Sequence, residues 1–183
     1  MTISTSVTAS EFEQMPRDGH HDELIRGVLK RMPPTSSIHG LARRNLAFDL
    51  DLFLEEHGLG ATVSEVGLLL ETDPDTVLGP DIAVMPVEYL PLSDEGGFER
   101  RIPLLVVEVL SPSNRRGEIN TKVEIYLRAG VRLVLVVDPK QRTVQARTSD
   151  GEIQLLTEAD ELTGGEVLPG FRTPVARIFR WLT

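Results

Sequence analysis

The chain has 183 residues, of which 40% are hydrophobic and 26% charged, a composition typical of a globular protein that buries a core. It contains no cysteine, which excludes disulfides, thiolate nucleophiles and cysteine-bound metals and favours a reducing, cytoplasmic location. The formal net charge of −9 argues against tight non-specific nucleic-acid binding by the protein as a whole.

The first part of the chain predicts a short helix, a hairpin and a long helix. Residues 8–15 form the short helix, and residues 22–32 form a hairpin that turns at Gly27. Residues 38–57 carry apolar side chains at helical spacing, and Gly58 ends this helix. The first residues lack a secretory signal, and no apolar run is long enough to span a membrane.

The middle of the chain predicts a parallel strand–helix–strand unit. Residues 103–110 and 131–138 are almost wholly apolar, as in strands buried on both faces. The segment between them, 117–129, has helical spacing, so the two strands should be adjacent, parallel and joined by a right-handed crossover. Residues 61–71 and 77–86 are each predicted as one strand, followed by a loop over 87–101.

The last part predicts strands over 141–147 and 152–157 joined in a hairpin, a turn-rich loop over 160–169 and a short helix within 174–182. There is no internal repeat and no boundary in composition. The expected architecture is a single α/β (α+β) domain over residues 1–183.

The chemistry is predicted by a carboxylate inside an apolar strand. A buried carboxylate without a partner costs several kcal/mol, so Glu108 must meet a cation, a donor cluster or a metal. Asp81 lies on another predicted strand beside a break, and neighbouring strands would bring the two acids together. Two close carboxylates with room for water favour Mg²⁺ or Mn²⁺ over zinc.

Lys122 is the third candidate. At about 100° per residue it falls at the margin of the apolar stripe of helix 117–129, from where a lysine can reach along the helix surface. Its ammonium could orient or activate a water near a metal-held phosphate. A structural alternative remains, in which Lys122 and Glu108 form a buried ion pair without catalysis.

An ordered set of short motifs resembles the Uma-two family, which belongs with the restriction-endonuclease-like nucleases whose motif is PD…(D/E)xK. The set runs Pro80-Asp81, then Glu108-Val109-Leu110-Ser111-Pro112-Ser113, then Lys122 with Tyr126 and Gly130, then Val136-Val137-Asp138-Pro139, then Leu168-Pro169-Gly170-Phe171. The resemblance spans residues 23–171. It implies a restriction-endonuclease-like mixed β-sheet flanked by helices, and a magnesium site.

Residue by residue, the resemblance implies that Asp81 and Glu108 are the two motif acids and metal ligands, with the backbone carbonyl of Val109 as a further ligand. The motif lysine would follow Glu108 by two residues, but Leu110 stands there, and the family's lysine is displaced to the next helix, as Lys122. Glu65 resembles the extra upstream acid of many such nucleases. His39 is a weaker candidate, as a base or phosphate contact.

The activity implied is Mg²⁺-dependent hydrolysis of DNA phosphodiester bonds, and nucleases that cut both strands act as symmetric pairs, so a homodimer is expected. The alternative is a catalytically silent module that keeps the fold for binding or assembly, which the acidic balance and Leu110 favour. The pairs Arg43-Arg44, Arg100-Arg101 and Arg115-Arg116 are either phosphate contacts or solvated surface residues.

Overall fold

The computed structural model describes residues 6–16, 21–32, 34–92, 96–112 and 116–182. The helices of this part are α1 (Ala9–Glu13), α2 (Ser37–His57), α3 (Arg116–Ala129) and α4 (Val175–Ile178). The strands are β1 (Asp22–Ile25), β2 (Val28–Arg31), β3 (Gly60–Val63), β4 (Leu68–Glu71), β5 (Thr76–Leu78), β6 (Ile82–Pro86), β7 (Leu105–Val109), β8 (Leu133–Asp138), β9 (Thr143–Thr148), β10 (Ile153–Thr157), β11 (Glu161–Gly164) and β12 (Leu168–Pro174). None of these helices combines the length and hydropathy of a membrane crossing.

The largest sheet has the strand order β10-β9-β8-β7-β6-β3. Its centre is the parallel pair of β7 and β8, in which Glu108 lies opposite Val136, and the other pairs are antiparallel. The crossover between β7 and β8 contains α3, so the predicted strand–helix–strand unit is confirmed. The mixed sheet flanked by helices, expected from the family resemblance, is confirmed as well.

Alternating side chains of β6, β7 and β8 face two different helices. Ile82, Val107 and Leu135 belong to a core that also contains the buried side of α2. Their chain neighbours Ala83 and Val106 belong to a second core, which is built on α3. Because successive strand residues point to opposite faces, Glu108 shares the α3 face with Val106.

A smaller sheet has the strand order β2-β1-β5-β4. It packs against α3 in the same core as the large sheet. Its β1 strand turns into β2 at Gly27, as predicted, with a positive φ of 74°. Leu24 of β1 packs in a third cluster with Ala9 of α1. Glu23, one residue earlier, therefore faces away from α1, towards α3.

Two predicted strands are each divided between the two sheets. Segment 61–71 contains β3 of the large sheet and β4 of the small sheet. Segment 77–86 contains β5 of the small sheet and β6 of the large sheet. The first break lies at Glu65, which has a left-handed φ of 57°, and the second at Gly79-Pro80-Asp81.

The prediction of a loop over 160–169 was also wrong. Buried Leu162 and Leu168 hold β11 and β12 together there as a pair.

Helix α2 has the caps that its sequence predicts. The Ser36 side chain accepts a hydrogen bond from the His39 amide at the N-terminus, and Gly58 adopts a left-handed conformation at the C-terminus. This helix matters for the site because its first turn carries His39.

We expect the same substitution at two glycines of this helix to have opposite effects. Gly58→Ala should lower the free energy of unfolding by about 1 kcal/mol, because φ is +62° and a Cβ disfavours that conformation. Gly40→Ala should raise it by about 1 kcal/mol, because Gly40 is helical and nothing lies within 4 Å of the added Cβ. Urea denaturation of both variants measures this. Equal signs would contradict the cap assignment.

Candidate active site

Asp81 and Glu108 meet across two neighbouring strands. In the antiparallel pair of β6 and β7, Ile82 lies opposite Val107. Continuing that register by one residue puts Asp81 opposite Glu108, and residues directly opposite one another share a face. Asp81 is further fixed by its own hydrogen bond across the pair, since its Oδ2 accepts from the Val109 amide at 2.6 Å. The convergence that the sequence predicted is therefore present.

Lys122 lies beside Glu108 in the interior. Both residues are only 5% exposed, and the Lys122 Nζ lies 3.3 and 3.4 Å from the two Glu108 carboxylate oxygens. Tyr126, one turn further along α3, donates its hydroxyl to Glu108 Oε1 at 2.7 Å. The helix thus holds Glu108 with a cation and a neutral donor on the same side.

Glu23 is a member of the cluster that sequence reasoning missed. Its Oε1 lies 2.7 Å from Lys122 Nζ, closer than either oxygen of Glu108, and also accepts from the Gly79 amide at 3.2 Å. Its Oε2 is buried and has no hydrogen-bond partner among the residues that the structure describes. The local sequence contains no signal for it: alternation about Leu24 puts Glu23 on the opposite face of β1, and only the packing of α3 buries that face.

His39 lies on the other side of Asp81. Its Nε2 is 3.2 Å from Asp81 Oδ1, and the side chain is buried at the start of α2. The Nδ1 of this ring is buried without a partner in the described part of the chain. His39 and the Val109 amide together hold both oxygens of Asp81, so the aspartate has one orientation.

The remaining candidates lie outside this cluster. Glu65 is in a turn rather than on a strand, and its half-exposed carboxylate pairs with Arg43 and with His21. Val109 is buried on β7, and its role as a carbonyl ligand stays a prediction. Ser113, Arg115 and the Arg116 side chain lie outside the described residues.

The cluster contains more carboxylates than cations, and this excess affects the pKa values of Glu108 and Lys122. Burial, with the nearby charges of Glu23 and Asp81, raises the pKa of Glu108 from 4.5 to about 7, although Lys122 and Tyr126 pull it down. Burial disfavours the charged form of Lys122, but Glu108 and Glu23 outweigh that effect and raise its pKa above the ordinary value. Glu108 therefore binds a proton more tightly mainly because it is buried, and Lys122 does so because two carboxylates lie beside it.

The cluster borders a cleft of about 350 Å³ that opens between the two sheets. Glu23, Asp81, Glu108 and Lys122 line it, together with His39 and Glu65. Within the described ranges, no three acidic or histidine side chains already converge in the geometry of a metal site. In this arrangement the Lys122 ammonium supplies the positive charge beside Glu23 and Glu108.

The raised pKa of Glu108 predicts a stability that depends on pH. Between pH 4.5 and 7 the folded chain holds a proton on Glu108 that the unfolded chain has lost. The free energy of unfolding should therefore fall as pH rises through this window, by roughly 3 kcal/mol at most. Glu108→Gln cannot lose that proton and should remove the fall.

Urea denaturation across this pH range, with a chelator present, measures the two slopes. Comparing the variant with the parent chain cancels the contributions that the other titratable groups make to both proteins. Parallel slopes for the two proteins would mean that Glu108 titrates at its ordinary pKa.

Comparisons with known proteins place the chain in a family. The Uma-two family model, described as "Putative restriction endonuclease", matches residues 9–176. The fold is similar to a solved structure from Anabaena variabilis ATCC 29413, described as "a putative nuclease belonging to DUF820", with a TM-score of 0.84 and 18% sequence identity. That similarity covers 97% of this chain and 99% of the other. A search of the curated proteins gave no match. Because the family model spans most of the sequence, the chain belongs to the Uma-two family.

Proposed function

We propose that this protein is a Mg²⁺-dependent endonuclease that hydrolyses DNA phosphodiester bonds. The observation that carries the proposal is the excess of buried acid beside the cleft, where Lys122 is the one ammonium that the described part of the chain places among Glu23, Asp81 and Glu108. A divalent cation is the natural partner for such a set. Membership of a family described as restriction endonucleases supports the choice of substrate.

The residues fit an oxygen-bound divalent ion. Each carboxylate oxygen has two lone pairs, so Asp81 retains accepting capacity on both oxygens after its bonds to His39 and Val109. Among the described residues, Glu108 Oε2 contacts Lys122 alone, at 3.3 Å. With no cysteine in the chain and the acids predominating, the donors suit Mg²⁺ or Mn²⁺. Asp81, Glu108 and the carbonyl of Val109 are the proposed ligands.

When bound, the ion supplies a Lewis acid that polarises a phosphate and lowers the pKa of a water. Asp81 and Glu108 would hold the ion, and His39 keeps Asp81 in place. Lys122 would orient the attacking water and stabilise negative charge on the phosphate. Glu23 keeps the lysine at the site, and the Gly79 amide holds Glu23 by donating to the same carboxylate oxygen. Glu65, at the edge of the cleft, is proposed as an additional acid of the site.

We also propose that the active form is a homodimer. A DNA duplex presents two antiparallel strands, and a twofold pair of subunits presents one cleft to each.

A second function has its own support. Lys122 is locked between two carboxylates, as in a structural ion pair, and Leu110 occupies the position where the nuclease motif has its lysine. A module that uses the cleft for binding without catalysis would keep this geometry. Metal binding and cleavage separate the two functions.

The first test measures Mg²⁺ by its effect on stability. A ligand that binds only the folded state raises the free energy of unfolding, by about 1.4 kcal/mol for each tenfold excess over its Kd. We expect this rise for the parent chain and for Glu124→Gln, which removes an exposed acid from α3. Glu108→Gln should show little rise and no cleavage of a DNA duplex, while remaining folded.

Three outcomes are informative. If Glu108→Gln responds to Mg²⁺ like the parent chain, Glu108 is not a ligand and the catalytic proposal fails. Mg²⁺ binding without any cleavage favours the silent module. An unaltered parent melting temperature in Mg²⁺ and in Mn²⁺ removes the metal site altogether.

The second test concerns Lys122. Lys122→Ala leaves two buried carboxylates without their cation and should lower the free energy of unfolding by about 3–5 kcal/mol in the absence of metal. Mg²⁺ should recover part of this loss, because it replaces the missing charge, but cleavage should stay slow. Lys140→Ala, at an exposed lysine, is the control. A Mg²⁺ effect no larger than in the parent chain would show that the ion binds away from the cluster.

A further inference from the structure

Helix α2 carries exposed apolar residues on a side other than the one that packs into the core. Its inner side packs Leu46, Leu50 and other residues into the main core. Its outer side carries Ile38, Phe48 and Leu52, which are 47%, 46% and 55% exposed. At about 100° per residue these three lie within an arc of about 80°. A helix with apolar residues on both sides is normally covered on both sides.

The C-terminal end of the chain extends this exposed surface. Trp181 is 67% exposed, and the Arg44 guanidinium lies 5.6 Å from the ring centre of Phe48 and 6.0 Å from that of Trp181. The buried Asn45 amide donates to the carbonyls of Ile178 and Arg180 and fixes the last turn against α2. We call Ile38, Arg44, Phe48, Leu52 and Trp181 the outer face of α2.

Charge is divided along the same helix. Its N-terminal half carries Arg43 and Arg44, and its C-terminal half carries Asp51, Glu55 and Glu56. Arg44, Asp51 and Glu55 lie on one flank of the outer face, within an arc of about 40°. Among the described residues, neither Arg44 nor Glu55 has an ion-pair partner, so both charges remain open to a partner molecule.

We infer that the outer face of α2 binds a second copy of this chain, with the two α2 helices antiparallel about a twofold axis near Phe48. This inference rests on the homodimer proposed above but not on the cleavage chemistry. In an antiparallel pair the same flanks meet and the N-terminal half of one helix faces the C-terminal half of the other. Each Arg44 then approaches the partner's Asp51 and Glu55, and the apolar residues meet between them.

The composition of the surface favours a protein over a nucleic acid. Aromatic side chains and arginine around an apolar centre are typical of protein interfaces, and a twofold interface must be complementary to itself. Three exposed acids in the C-terminal half of α2 would repel phosphates, and the whole chain carries a net charge of −9. Because the basic half of α2 is complementary to the acidic half of a second α2, the division of charge favours a second copy of this chain as the partner.

The arrangement also determines where the two clefts lie. His39 is nine residues before Phe48 on the same helix, so each His39 lies about 13 Å from the axis along the helix direction. The two clefts would therefore be at opposite ends of the helix pair, roughly 27 Å apart along that direction.

The first experiment is sedimentation of three proteins at micromolar concentration. The parent chain should be a dimer. Phe48→Glu with Leu52→Glu should raise the dimer Kd by roughly 100-fold or more, with an unchanged circular dichroism spectrum, because both side chains are already exposed in the subunit. Ile153→Glu with Leu155→Glu, an equally exposed apolar pair on β10, is the matched control and should remain dimeric.

The second experiment reverses charges across the axis. Arg44→Glu and Glu55→Arg should each weaken the dimer, since each places like charges opposite one another. The double variant should restore the dimer, because the pair is again complementary. A variant that merely damages the fold would not be rescued by a second charge reversal.

Each contrary result has one meaning. A monomeric parent chain over the whole concentration range overturns both the homodimer and this surface. A parent dimer that ignores the α2 changes, or that dissociates with the β10 changes, overturns the surface alone. If the Phe48 and Leu52 variant stays dimeric but binds a short DNA duplex more weakly, the outer face contacts nucleic acid and the inference is wrong.

Discussion

The structure depends on one buried ammonium. Lys122 lies between Glu23 and Glu108 with almost no access to solvent, and a buried charge is tolerable only when partners surround it. Three elements meet at these contacts: β1 brings Glu23, β7 brings Glu108 and α3 brings the lysine. The Tyr126 hydroxyl then occupies a further lone pair of Glu108. Even so, among the described residues the acids of this cluster outnumber the cation, and the proposed metal would offset that imbalance.

Much of the fold could be predicted because its strongest signals are local. The apolar runs that became β7 and β8 and the amphipathic pattern of α3 describe the parallel unit without reference to the rest of the chain. The two divided strands could not be predicted in the same way. Both halves of each segment have strand-forming sequences, and the break at Glu65 follows from the two sheets, each of which contains one half. The Gly79-Pro80 pair marks the second change of sheet.

The candidate site was predictable to the extent that its residues interrupt a pattern. Glu108 is visible because it is the one charge in a long apolar run, and Lys122 because it borders a helical stripe. Glu23 lies in a short strand between Asp22 and Leu24, where an acid is unremarkable, so its burial against α3 depends on contacts 99 residues apart in sequence. His39 was a weaker candidate in the sequence, and its contact with Asp81 is visible only in the structure. The family resemblance supplied the order of the motif acids but not Glu23.

The division of the cluster between two sheets has a consequence for how the protein opens. Glu23 belongs to the small sheet, whereas Glu108 belongs to the large one, and Lys122 joins them. If the hairpin of β1 and β2 detached alone, the lysine would lose its nearest carboxylate while remaining largely buried. Such a partial opening would cost much free energy. The amide hydrogens of the small sheet and of the central sheet should therefore exchange with solvent as one cooperative unit, although the two sheets have separate hydrogen-bond ladders.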